Sequence, residues 1–353
     1  MTGRFLLRLP RRLFLSTLGV SLAFAVGCNP APPSPGDAEV ASGIEEGGLR
    51  IAVSLPPLAW AAAALAPRGS TVTLLLDPGA SPHGATLSAS RARALAEADL
   101  VLLVGWNFEP AMERILVADR SPRQVLRLSE VVADRGLTPP PLHRPEGSAG
   151  DPASRDGARD DARDGARDDA RDDARDDVHE DPHGHGPDDP HAWLDPLAME
   201  AWVEALGERL GAPREAIDSL LAITSEVDAG YREGLGPLTQ RALVSHHDGL
   251  GWLARRYDLE VLAVLRPEGL VETRPSDVRR ATEAIQGRGL GALFIEPQFG
   301  DRAALRIRDL TGVELVTLDP VGTMDWPATM RSNLEQLRRG LSASPPPPDR
   351  QGP

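Results

Sequence analysis

The sequence predicts an α/β protein of two lobes, each with a mainly parallel sheet flanked by helices. Three observations predict it. Short apolar strand patterns alternate with helical ones over residues 49–128, and the same rhythm resumes from 242 to 318. Between the blocks lie two long segments with helix-like apolar spacing, Pro196–Leu210 and Pro213–Leu235. Short apolar strands separated by helices imply parallel sheets covered on both faces.

In the first block, Leu49–Leu55 reads as a strand, Leu58–Leu65 as an Ala-rich helix and Thr71–Leu76 as a strand. Ser88–Ala98 follows as a helix, Leu100–Val104 as a buried strand, Glu109–Val117 as a helix and Val125–Leu128 as a strand. In the second block, strands are expected at Ala242–Ser245, Val261–Leu265, Leu290–Ile295 and Val313–Leu318, with helices at Ser276–Gly287 and Arg302–Leu310. Pro213 suits a first helical turn, and the helix it opens is expected to bridge the lobes.

The ends differ in kind from the body. Arg4, Arg8, Arg11 and Arg12 precede an apolar run from Leu13 to Val26, which stops at Ala25-Val26-Gly27-Cys28. A basic segment, a short apolar run and small residues before a cut site make a secretory signal, too short for a membrane span. Cys28 is the single cysteine and stands at the cut, as in a bacterial lipobox, although Ala25 replaces the usual Leu. Lipidation there would anchor the chain to the outer face of a membrane. The expected organisation is a lipoprotein signal at 1–27, a Pro-rich tether at 28–47, an N-terminal lobe at 48–195 and a helical segment at 196–238. A C-terminal lobe at 239–341 and a disordered tail at 342–353 complete it.

Within the first lobe, residues 145–190 form an insertion. Its stretch 155–177 repeats Arg-Asp-(Gly/Asp)-Ala and holds no large apolar residue, so it cannot bury enough surface to offset chain entropy. Residues 151–190 carry 15 acidic side chains against six arginines, a large share of the net charge of −14. The rest of the mature body is also acidic and has no basic stripe, which argues against nucleic acid as a partner.

Histidine is scarce, with eight in the chain. His83 lies in the loop leaving the strand at 71–76, and His247 in the turn leaving the strand that opens the second block. Asp319 ends the strand at 313–318. Ligands of open parallel sheets bind beyond the carboxyl ends of strands, so these three converge on one expected cleft between the lobes. His191, in Asp189-Pro-His191-Ala-Trp-Leu-Asp195-Pro196, stands at the entrance to the helical segment and can join them. Three imidazoles and a carboxylate suit tetrahedral zinc, and also other borderline metals. Each histidine alone reads first as a surface or capping residue, and it is the four groups together that point to a metal.

Several stretches resemble the metal-specific solute-binding proteins of ABC importers (cluster A-I), in particular their ZnuA-like zinc branch. They are Ser54-Leu-Pro-Pro-Leu58, Pro78-Gly-Ala-Ser-Pro-His83, Leu95-Ala-Glu-Ala-Asp-Leu-Val101, Asp189-Pro-His191-Ala-Trp-Leu-Asp195-Pro196, His247-Asp248 before Trp252 and Tyr257, Ile295-Glu296-Pro297-Gln298-Phe299, and Leu318-Asp319-Pro320. Together they span about residues 49–340 in the family's order. The resemblance implies two lobes joined by a long rigid helix, with the metal in the inter-lobe cleft and His83, His191 and His247 as ligands. His247 stands where the manganese branch carries Glu, which points to zinc as the transported ligand. Some zinc members place an acid just before the first histidine. Here that residue is Pro82, so Asp319 or a water completes the shell.

Asp248 and Glu296 are candidates to hold a ligand imidazole by its other nitrogen. Asp248 reads equally as a helix cap, and Glu296 as a paired structural carboxylate. His179, His183 and His185 form a His/Asp-rich end to the insertion, expected to bind metal weakly. The expected function is an extracytoplasmic, lipid-anchored, monomeric receptor that delivers zinc to an ABC-type permease and is not an enzyme. The alternatives are a manganese or iron receptor of the same family, a secreted zinc hydrolase with Glu296 as base, or a cell-adhesion protein with a structural metal. The chain contains neither His-Glu-x-x-His nor Gly-x-Ser-x-Gly.

Overall fold

The computed structural model describes residues 48–76, 86–118, 123–142, 188–266, 273–300 and 302–346. Cys28, His83, His179, His183 and His185 lie outside the described residues. The first lobe comprises β1 (Arg50–Val53), α1 (Pro56–Leu65), β2 (Thr71–Leu74), α2 (Ala89–Glu97), β3 (Leu100–Leu103), α3 (Pro110–Ala118), β4 (Gln124–Arg127) and α4 (Leu128–Asp134). A 3-10 turn at Ala192–Leu194 leads into α5 (Pro196–Leu210) and α6 (Arg214–Leu235). The second lobe comprises β5 (Ala242–His247), α7 (Gly251–Arg256), β6 (Glu260–Arg266), α8 (Pro275–Arg288), β7 (Ala292–Ile295), α9 (Arg302–Thr311), β8 (Glu314–Thr317) and α10 (Trp326–Leu341).

Both sheets are four-stranded and parallel, in the orders β2-β1-β3-β4 and β6-β5-β7-β8. The strand residues alternate between two cores. Ile51, Val53, Leu100 and Leu102 face inward with Phe294 and Val316 of the second sheet, in one core continuous across the lobes. Ala52, Val101 and Leu103 face an outer core with Leu95 of α2 and Met112 of α3. Leu293 and Val244 do the same with Ile285 of α8 and Ile307 of α9. Period-two burial on both faces explains why the strands read as unbroken apolar runs.

The 22-residue α6 is the bridge. At 1.5 Å per residue it is about 33 Å long. Ile217, Leu220, Thr224, Val227, Tyr231 and Leu235 repeat every three or four residues along its buried face. Asp195 caps α5 by accepting the Leu197 amide at 2.9 Å, and Gly211 (φ 62°) ends it in the left-handed region.

The sequence reading assigns no range to α4, α7 or α10, although Met330, Leu334, Leu337 and Leu341 carry a helical period. It also ends β5 two residues early. The strand runs through His246 and His247, because both are buried and the ladder continues to His247 opposite Arg266. The expected tail begins on the second lobe, where Ala343 packs against the inner core. Its carbonyl lies 2.3 Å from the position a Cβ would take on Gly291, so only glycine fits under that strand of chain.

Candidate metal site

In each sheet the strand order reverses between two central strands, β1 and β3 in one and β5 and β7 in the other. Such switch points open a crevice at the strands' carboxyl ends. His247 is the last residue of β5, and Glu296 directly follows β7. His191 precedes the 3-10 turn into α5, and its ring centroid lies 4.9 Å from that of His247 in an edge-on arrangement. Both histidines are almost fully buried, at 2% and 3% exposure.

Each imidazole is oriented by a carboxylate. Nδ1 of His191 lies 2.7 Å from Asp189 Oδ1, which also accepts the His191 amide at 2.9 Å. Nδ1 of His247 lies 3.2 Å from Glu296 Oε1. A carboxylate at Nδ1 fixes the tautomer that presents Nε2, the arrangement usual around zinc. Burial pushes the His191 pKa down despite Asp189. Burial acts on His247 in the same direction, but Glu296, Asp248 and Asp189 outweigh it and hold the pKa above its ordinary value.

Further contacts wall the pair. Phe108 meets His191 edge-on at 5.7 Å, and Phe299 lies 5.4 Å from both His246 and His247. Strand alternation turns His246 away from its neighbour, and its Nδ1 accepts the Glu296 amide at 3.4 Å. A Cβ on Gly249 would stand 3.0 Å from His191 Nε2 and 2.8 Å from His247 Cε1, so bare backbone lies against both rings.

Asp319 sits at the carboxyl end of β8. Its Oδ1 accepts from Gln298 Nε2 at 2.6 Å and from the amides of Val321 and Gly322 at 3.2 and 2.9 Å. Asn333 brackets its backbone, accepting the Asp319 amide and donating to its carbonyl. Among the described residues, no group of three or more His, Cys, Asp or Glu side chains closes on one point. The structure therefore pairs His191 with His247, with Glu296 behind His247 at Nδ1, sets Asp319 in its own turn and leaves His83 outside the described residues. Asp248 is buried and acts on His247 through its charge. It is not the cap of α7, whose N-cap residue is Leu250, with no side-chain hydrogen bond.

Sequence reasoning missed Asp189, whose signal was its place two residues before His191. It also missed Phe108, which appears only as one residue of a β3–α3 connection.

Residues 51–340 match the family described as "ZnuA: Zinc-uptake complex component A periplasmic". The chain belongs to the ZnuA family. The high-affinity zinc uptake system protein ZnuA of Paracoccus denitrificans is 31% identical over 283 residues, covering 76% of this chain and 82% of that protein. The periplasmic zinc-binding protein TroA of Treponema pallidum superposes with a TM-score of 0.62 at 21% identity, over 82% of this chain and 98% of that one. The solute-binding protein FpvC of Pseudomonas aeruginosa, solved with Mn2+, gives 0.62 at 19%, over 83% and 98%. ZnuA-family membership makes the chain an extracytoplasmic metal-binding receptor of an ABC importer, and not an enzyme.

Proposed function

We propose that this receptor captures zinc between its lobes through His83, His191 and His247, with Asp319 as fourth ligand. The observation that carries the reading is the pair of buried imidazoles at 4.9 Å, each with Nδ1 against a carboxylate. Three imidazoles and one carboxylate oxygen match tetrahedral zinc better than the harder manganese ion. Asp319 Oδ1 is committed to three donors, so Oδ2 is the ligating atom in this assignment. The zinc-uptake role of the 31%-identical Paracoccus relative supports the choice of metal.

Capture involves no covalent chemistry. Neutral imidazoles and carboxylate replace the ion's water shell, and the loaded receptor docks on a membrane permease. Cys28 is the proposed lipid attachment point that holds the mature chain at the membrane, and His179, His183 and His185 the proposed weak metal-gathering loop.

Competition titration of chelator-stripped protein with zinc and manganese tests the assignment. Zinc is expected to bind more tightly, with a loss of several orders of magnitude in His83→Ala and His247→Ala. Deleting 155–177 leaves affinity unchanged. Preference for manganese, or full zinc affinity in both histidine variants, overturns the reading. Full affinity in Asp319→Ala assigns the fourth position to water.

A further inference from the structure

The β3–α3 connection follows a path that its residues resist. Gly105, Trp106 and Asn107 are consecutive left-handed residues, with φ of 88°, 48° and 56°. For a residue with a side chain this conformation costs roughly 1–2 kcal/mol. Glycine is required at 105, where a Cβ would stand 2.0 Å from Ser129 Oγ. Asparagine adopts this conformation more readily than most residues, but Trp106 does not, so something must hold the turn.

Glu109 does so from the start of the next helix. It is 6% exposed, with Oε1 accepting the Val104 amide at 2.7 Å and Oε2 accepting the Gly105 amide at 3.2 Å. The Phe108 amide closes the turn on the Gly105 carbonyl at 2.9 Å. The turn delivers two aromatic rings. Phe108, fully buried, meets His191 at 5.7 Å and Trp193 at 5.5 Å. Trp106 meets Trp252 of α7 at 6.1 Å, and the Trp252 amide and indole N–H both donate to Asp189, the carboxylate partner of His191.

We propose that Glu109 is a positioning residue for metal capture. Its two-oxygen grip on the amides of Val104 and Gly105 holds the left-handed turn that seats Phe108 against His191 and Trp106 against Trp252. Asp189 fixes the imidazole from the Nδ1 side and Phe108 walls its face, so the ring meets the ion already oriented. A ring released on one side must be ordered during binding, which weakens affinity. The inference rests on His191 being a ligand.

Glu109→Gln tests it. Glutamine keeps one acceptor oxygen but turns an NH2 toward the second amide, so one hydrogen bond becomes a donor–donor conflict. Zinc affinity is expected to fall roughly tenfold, the lower end of the range for groups behind a metal ligand. Phe108→Leu is expected to weaken zinc binding similarly, and Glu109→Gln to add little in the Phe108→Leu background, since both act through one ring. A purely structural Glu109 would lower the unfolding temperature while leaving zinc affinity alone. Should Glu109→Gln not fold, undiminished affinity in Phe108→Leu overturns the proposal on its own. Full zinc affinity in His191→Ala removes the ligand assignment beneath it. Loss in His191→Ala with no change in Glu109→Gln and Phe108→Leu overturns the positioning role alone.

Discussion

Asp189 and Trp252 are bonded twice across the lobe boundary. The indole N–H of Trp252 donates to the Asp189 carbonyl at 2.7 Å, and its amide donates to Oδ2 at 3.3 Å. Because Oδ1 of the same carboxylate holds His191, one side chain ties an imidazole of the site to a helix of the opposite lobe.

Asp189→Asn separates shape from chemistry. Asparagine keeps its carbonyl on the His191 amide and Nδ1 only by turning its NH2 against the Trp252 amide. In the other orientation it donates to Nδ1 and drives the proton to Nε2, the atom offered to the metal. Zinc affinity is expected to drop about 10–100-fold with the fold retained, measured by competition titration beside a far-ultraviolet spectrum. Gly251→Ala attacks the same link sterically, since its Cβ would come 2.6 Å from Asp189 Oδ2. Affinity in that variant is expected to fall as well.

Metal affinity is expected to rise with pH through the raised pKa of His247 and then level off, because zinc must displace the proton that the neighbouring carboxylates stabilise there. Calorimetry in buffers of different ionisation enthalpy reads the released proton directly. Release that does not decline toward alkaline pH sinks this expectation. In the metal-free protein the same pair adds stability in acid that is lost as pH rises through the raised value.

Glu109 also costs the fold stability as pH rises, but over a lower window. Burial pushes its pKa from the ordinary 4.5 up to about 7, against the Ser54 hydroxyl and the two amides, which favour the charge. Between those values the folded chain keeps a proton that the unfolded chain has released, so stability falls as pH rises, by ~3 kcal/mol over the window. Glutamine does not titrate. Denaturant unfolding of the metal-free protein is therefore expected to show wild type losing ground to Glu109→Gln from about pH 4.5 to 7 and holding a constant difference above. A parallel pair of curves would refute it.

The segment after His191 is locked by two tryptophans. Trp193 donates to the Pro320 carbonyl at 2.7 Å, and Trp326 donates to the Trp193 carbonyl at 2.8 Å. Trp326→Phe strands a buried carbonyl and leaves a void, and should cost ~2–4 kcal/mol of stability. Equilibrium unfolding in urea measures the loss.

Much of the fold was legible in the sequence because its signals are local. Apolar runs such as Leu100–Leu103 between helical patterns announce doubly covered strands, and Pro213 with the apolar spacing of 217–235 announces the bridge. The α4 helix gave a weaker signal, being short and following β4 without a break at Leu128. Within the site, His247 and Glu296 were legible from their places beside strand ends.

What the sequence alone determined is the set of chemical groups and the two-lobed α/β frame that carries them to strand ends. Tertiary structure decided which groups meet. Whether Asp189 serves His191, whether Asp248 caps a helix, and whether Phe108 touches an imidazole depend on packing between residues far apart in the chain. Such contacts arise when buried surfaces from separate lobes close into one core, and no spacing along the chain encodes that closure.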